Sequence, residues 1–411
     1  MKLARFLLGH RALCTGALIT SVLASGCSDE SVVEERTITI GLLLPFTGSA
    51  SGTAANLERA VIYAADRVNE GGGIDGWPLR IVARDTHSNI ARSKQSAMEL
   101  LAEDARVIIG PESPEIAAEI APLFAENGAL FLSPLVGAAG EPQTTCDVPW
   151  YRLAPSAKSM GEAIAKRLAA AGVEHAAVLS GSGAYNRALS DAVIRRFTSL
   201  GGTVNVSLSL DANDSSYADE FETEFETDPE AVVLATDPRA AALAVTELAS
   251  LSRVAPRWFL SPLLKTDLLV QNVAPDALED AVGVAPKIYD RTSDFPDAFA
   301  ARWAGDAPLE GAYFYYDAIG LIAFALQGAS SAGAGTITSE ALQLAMLRAA
   351  APPGEAVGWD ELENVLARLR DGDDLYYSGL TGPLLMESCG ARKLGVTSEW
   401  TVQSGAIVDR E

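Results

Sequence analysis

Ile38-Thr39-Ile40-Gly41-Leu42-Leu43-Leu44, then the polar loop Thr47 to Thr53, then Ala54, Leu57, Val61, Ala64 and Val68 decide the fold. The first run is apolar nearly throughout, as a strand covered on both faces of a parallel sheet must be. The second set recurs at three- and four-residue spacing, which lines one face of a helix. Gly71-Gly72-Gly73 ends that helix, because glycine takes left-handed backbone angles freely.

The alternation continues outward. Strands are predicted at Leu79 to Ala83, Val107 to Ile109 and Ala129 to Leu132, with helices at Ile90 to Leu101 and Pro114 to Glu126. Proline suits the first turn of the latter. A second block opens near Pro155. It alternates helices (Ser159 to Ala170, Arg187 to Leu200, Tyr217 to Glu226, Ala240 to Leu251) with strands at Ala176 to Leu179, Val204 to Leu208, Ala231 to Ala235, Trp258 to Leu260 and Ala281 to Ala285. The remainder turns helical: Phe295 to Trp303, Ala312 to Leu326, Ser339 to Arg348 and Trp359 to Leu369. Gly328 to Gly335 reads as a small-residue loop, and Leu384 to Glu387 and Glu399 to Gln403 as closing strands. Such strand–helix alternation with short connections implies α/β architecture, with parallel sheets and right-handed crossovers. At 411 residues the chain is too long for one core and suits two domains.

The start of the chain is set apart. Lys2, Arg5 and Arg11 precede the apolar stretch Ala12 to Ala24, which is too short to span a bilayer, and Ser25-Gly26-Cys27 follows. These are the features of an export signal. Leu23-Ala24-Ser25-Gly26-Cys27 resembles the bacterial lipobox, which implies lipidation of Cys27. An ordinary cleaved signal with an incidental cysteine is the alternative. Residues 1–27 are therefore expected to be a signal peptide with its lipobox, and residues 28–36 a tether. The protein is expected on the periplasmic or cell-envelope side, anchored to the membrane by lipid.

The net charge of −23 repels nucleic acid and argues against such a partner. Of the four cysteines, Cys14 lies in the signal and Cys27 at its end. Cys146 and Cys389 remain, and in an oxidising compartment two such residues are expected to pair. Two buried thiols are the other reading. No Cys-x-x-Cys is present, and His87 and His175 are far apart, so no metal or cofactor is expected. No nucleophile–base set can be assembled, so no enzyme is expected either.

Several stretches together carry a resemblance. They are Ile40-Gly-Leu-Leu-Leu-Pro-Phe-Thr-Gly48, Asn69-Glu-Gly-Gly-Gly-Ile-Asp-Gly76 with Leu79 to Asp85, Ile108-Ile-Gly-Pro111 with Leu132-Ser-Pro134, Tyr151-Arg-Leu-Ala-Pro-Ser156, and Tyr313 to Ala318. In order and spacing they resemble the type I periplasmic solute-binding proteins, the leucine/isoleucine/valine-binding group. The resemblance implies two Rossmann-like lobes joined by several hinge crossings. The expected division is residues 37–154 plus 286–378 for the first lobe and 155–285 plus 379–411 for the second. It also implies a monomer that closes on a small polar or amphipathic ligand, amino-acid-like or related, and delivers it to an ABC permease. A ligand-sensing receptor lobe with a membrane partner, or an envelope scaffold with a degenerate pocket, are the competing readings.

The family's ligand positions map onto Thr53, Ser113, Leu135, Gly137, Tyr185, Asp237, Leu263 and Tyr313. In amino-acid binders a hydroxyl and amides after the third strand meet the ligand carboxylate. Here Pro114 stands at the hydroxyl position, Ser113 one place early, and Glu112 and Glu115 close by. Leu135-Val136-Gly137 replaces a polar loop, Thr53 an aromatic residue, and Leu263 the acid that meets an ammonium. Bland readings stand beside these: Ser113 and Asp237 as helix caps, Tyr185 as a helix-start aromatic, Tyr313 as core.

Overall fold

The computed structural model describes residues 36–48, 50–137, 149–225, 229–251, 256–289, 294–331, 338–393 and 395–410. Residues 1–35, including Cys27 and nearly all of the expected tether, lie outside these, as does Cys146.

The first half builds β1 (Ile38–Leu44), α1 (Ala54–Glu70), β2 (Leu79–Asp85), α2 (Ile90–Ala102), β3 (Val107–Ile109), α3 (Pro114–Glu126), β4 (Leu130–Ser133) and the two-residue β5 (Tyr151–Arg152). The strands form a parallel sheet in the order β2-β1-β3-β4-β5. Alternation along the strands sends side chains to opposite faces. Ile40, Leu42, Leu44, Val107 and Ile109 join α1 in one core. Leu43, Ile108 and Phe131 face α2 and α3 in the other, through Ala97, Leu100, Ile116 and Ile120.

The next segment gives α4 (Ala157–Ala170), β6 (His175–Gly181), α5 (Ala184–Ser199), β7 (Thr203–Leu210), α6 (Ala218–Glu224), β8 (Ala231–Ala235), α7 (Pro238–Leu251), β9 (Arg257–Leu260), a 3₁₀ turn (Pro262–Leu264), α8 (Asp267–Val270) and β10 (Val282–Pro286). Val178, Val233 and Phe259 face α4 and α5, whereas Leu179, Val232, Leu234 and Leu260 face α7.

The chain then returns to the first lobe with α9 (Phe295–Arg302), α10 (Glu310–Ser331), α11 (Ser339–Ala349), β11 (Glu355–Val357), α12 (Leu362–Arg370), β12 (Leu375–Gly379) and β13 (Gly382–Pro383), the three strands forming a small sheet of their own in the order β11-β12-β13. α10 is the central helix of this lobe and packs on α1. Its Tyr313 and Tyr316 rings meet Phe295 at centroid distances of 4.9 and 5.1 Å. Finally β14 (Thr397–Gln403) and β15 (Ala406–Arg410) complete the second sheet, in the order β15-β14-β10-β9-β8-β6-β7. β14 runs antiparallel to β10 and β15 antiparallel to β14.

Two expectations are corrected. α10 runs on through Ser331, so Gly328 to Ser331 is helix rather than loop. The Gln327 amide donates to Asp75 Oδ1 at 2.8 Å, and the Ser330 hydroxyl also donates to Asp75, which gives this polar end a partner in the α1–β2 turn. Leu384 to Glu387 is not a strand; only Met386 forms an isolated bridge, with Arg392. Leu380, Leu384 and Met386 are instead buried in the first lobe's core.

The segments between the lobes are tied together. Arg392 is buried, and its guanidinium donates to Leu153 O at 3.0 Å, Thr381 O at 2.5 Å and Pro383 O at 2.9 Å. Lys287 N donates to Val396 O at 2.8 Å and Tyr289 N to Leu380 O at 3.0 Å. Fully buried Asp317 on α10 accepts from Tyr377 Oη, Leu380 N, Thr381 N and Thr381 Oγ1 at 2.7 to 2.9 Å. Burial raises its carboxyl pKa, against the lowering effect of those four donors. Cys389, beside this region, is disulfide-bonded.

Candidate functional site

Strand order reverses direction between β1 and β3 in the first sheet and between β6 and β8 in the second. Open α/β sheets form their binding crevice at such points, outside the carboxyl ends of the strands. In the first lobe the diverging loops are Pro45 to Thr53 and Gly110 to Ser113. Gly110 has φ +90°, and a Cβ there would stand 2.0 Å from Leu43 O, so only glycine lets the chain turn over the end of β1.

That turn delivers Glu112. Its Oε2 accepts from Thr53 Oγ1 at 3.1 Å, across the mouth of α1. Burial pushes the Glu112 carboxyl up to about 7, against the opposing effect of the Thr53 hydroxyl. Tyr315 Oη lies beneath, 3.4 Å from where a Gly110 Cβ would stand, and has no hydrogen-bond partner. Ser113 accepts from Ile116 N at 3.2 Å and so caps α3, while its hydroxyl donates to Glu115 Oε2 at 3.0 Å. A cavity of about 420 Å³ opens here, with Pro45, Thr86, Ile90, Glu112, Ser113 and Glu115 in its wall.

In the second lobe Gly181 ends β6 and Gly183 caps α5. A Cβ at Gly183 would lie 2.8 Å from Glu115 Oε1, so a first-lobe carboxylate meets the start of a second-lobe helix. Tyr185, in the first turn of α5, is buried, and burial raises its hydroxyl pKa. Asp237 Oδ1 accepts from Arg239 N and Ala240 N, both at 3.0 Å, which is a cap on α7. Ser261 Oγ, at the end of β9, is buried without a partner. The Lys265 ammonium donates to Glu310 at the start of α10 and to Asp409 on β15, which links the two lobes.

The structure therefore brings Thr53 and Ser113 together around Glu112, and Gly137 against Tyr185. It separates the others by environment. Leu135 packs against Gly311 at the start of α10. Tyr313 stacks in the aromatic core, and Leu263 is 42% exposed. Glu112 is absent from the positions carried over from the resemblance. Its signal in the sequence was an acid directly after Gly110-Pro111, at a strand end. Among the described residues no group of three or more His, Cys, Asp or Glu side chains is placed to hold a metal. No helix among them is long and apolar enough to cross a membrane.

Comparison with known proteins places this geometry. A family profile described as Periplasmic binding protein matches residues 37–358. The Leu/Ile/Val-binding protein BraC3 of Rhizobium johnstonii is 28% identical over 97 residues, 24% of this chain and 26% of that protein. The matched stretch thus spans about a quarter of that relative's length. The leucine-binding protein LivK of Thermotoga maritima superposes with a TM-score of 0.73 at 17% identity, covering 91% of this chain and 98% of that one. The branched-chain amino acid transporter substrate binding protein LivJ of Streptococcus pneumoniae, in complex with isoleucine, gives 0.71 at 15% identity over 91% and 100%. These two likenesses establish a shared fold.

Proposed function

The chain belongs to the periplasmic binding protein family, and from that premise we propose that it is an extracytoplasmic solute-binding protein that closes on a small molecule and delivers it to an ABC importer. One observation carries this reading. The carboxyl-end loops of both sheets meet, with Gly137 against Tyr185 and Glu115 against Gly183. A molecule held there touches both lobes only when they are closed, so its binding favours closure.

Lipidation of Cys27 tethers the protein to a membrane in this reading. In this reading the lobes are residues 37–154 with 286–378, to which Leu380, Leu384 and Met386 add by packing in the first core, and 155–285 with the closing strands β14 and β15, the crossings being those that Arg392 and Asp317 fasten. Thr53, Ser113, Gly137 and Tyr185 line the cleft. Asp237 caps α7 and Leu263 is exposed, while Leu135 and Tyr313 support the first lobe at the start of α10. LivJ is in complex with isoleucine, and an amino acid or a related small molecule is the corresponding ligand class here.

A thermal-shift screen of the full chain against amino acids, amides, amines, sugars and organic acids tests the reading. A ligand at about 100 times its dissociation constant adds roughly 2.7 kcal/mol to stability. A saturable rise in melting temperature is expected for at least one compound, and a flat response across all classes overturns it.

A further inference from the structure

The first-lobe wall of the cleft is built for positive charge. Glu112 stands in the cavity with the Thr53 hydroxyl as its hydrogen-bonding neighbour. Glu115 stands at the rim, its Oε2 held by Ser113. Among the described residues that line this cavity there is no Lys, Arg or His. Lys265 is engaged by Glu310 and Asp409 instead. A helix start normally attracts anions through its free N–H groups. Here Pro111 and Pro114 carry no N–H, and Ile116 N is taken by Ser113. The anion cradle is thus weakened, and two carboxyl groups stand beside it.

A second observation points the same way. Tyr315 is fully buried, and its hydroxyl, beside Gly110 and within electrostatic reach of Glu112, has no partner. Asn186 Oδ1, in the first turn of α5, is likewise buried and unpartnered. Either oxygen can accept from an ammonium N–H, and the Tyr315 hydroxyl can also donate. Buried polar atoms are normally satisfied, so the unpartnered Tyr315 hydroxyl beside the Gly110 turn that carries Glu112 points to a ligand at that turn. A volume near 420 Å³ suits a small organic molecule.

We propose that the ligand is a small organic cation, an amine whose charged nitrogen seats on Glu112 with Glu115 at the rim. This rests on the solute-binding reading and narrows its ligand class. A free carboxylate on the same end of the molecule is disfavoured by Glu115 and, once a cation holds it ionised, by Glu112.

The test is calorimetric titration of the full-length protein, and of its Glu112→Gln and Glu220→Gln variants, with matched probes. The amines are putrescine, ethanolamine, choline and benzylamine. The carboxylates are succinate and benzoate, and the zwitterions leucine and isoleucine. Glu220 is exposed on α6 and serves as the charge control. Glutamine keeps the shape of Glu112, and melting curves verify that the variant folds. At least one amine is expected to bind, with affinity lowered about tenfold or more by E112Q and unchanged by E220Q. Binding of a carboxylate or zwitterion at an affinity that E112Q leaves unchanged overturns the cation assignment alone. Binding of none of the probes overturns the cation assignment, whereas the solute-binding reading falls only on a flat response across the full thermal-shift set.

Discussion

Gly137 of the first lobe packs directly on the Tyr185 ring of the second. A Cβ at position 137 would stand 2.9 Å from Tyr185 Cε2 and 2.2 Å from Pro155 O. Neither the backbone carbonyl nor a buried ring retreats easily, so this contact fixes how closely the two lobes approach.

Gly137→Val is therefore expected to hold the lobes apart. Overpacking of this kind typically costs about 1–3 kcal/mol. The variant should melt lower than the parent and lose most of its ligand-induced rise in melting temperature. Differential scanning calorimetry with and without a bound compound checks both effects.

Glu112 gives the stability a pH signature. Its folded pKa is raised to about 7 from the usual 4.5, so the folded state holds the proton more tightly. The resulting stabilisation is complete below about pH 4.5 and is lost as pH rises through about 7, at up to about 1.4 kcal/mol per unit. Thr53 and Tyr315 are the groups that face it, and Glu115 shares the cavity wall. Chemical denaturation from pH 5 to 8 should show this fall in the parent and a flatter profile in Glu112→Gln.

Asp317 fastens α10 to the segment at Leu380 and Thr381. Asp317→Ala leaves four buried donors without their acceptor, at roughly 1–3 kcal/mol for each one that finds no substitute. We expect a loss of at least about 3 kcal/mol in urea denaturation, among the largest for any single substitution in the chain.

Lys265 joins second-lobe Asp409 to first-lobe Glu310, and both acids are substantially exposed. Lys265→Met should change global stability by less than about 1 kcal/mol. It removes a charge that holds the lobes together, so small-angle scattering of the unliganded variant should give a larger radius of gyration than the parent.

The repeating units were legible in the sequence because their central strands, such as β1, β3 and β8, are buried on both faces. Val107–Ile109, Pro114–Glu126 and Ala231–Ala235 coincide with the predicted bounds. Short or irregular segments were not. Tyr151–Arg152 and Gly382–Pro383 are two residues each, too short for any periodicity to register. Leu384 and Met386 alternate as a strand would, yet both fill the first core from irregular chain held by Arg392. At the site, the sequence located the strand-end loops. The capture of Asp237 by the α7 cap depends on local amides that spacing alone does not rank. The burial of Glu112 under Thr53 joins residues 59 positions apart, which only the folded sheet order brings together.

The central claim is that two lobes close on a small molecule. Small-angle X-ray scattering of the full-length protein, titrated with whichever compound raises its melting temperature, tests it most directly. The account predicts a saturable fall in radius of gyration at the same concentration that saturates binding. A scattering curve unchanged at full occupancy would contradict it.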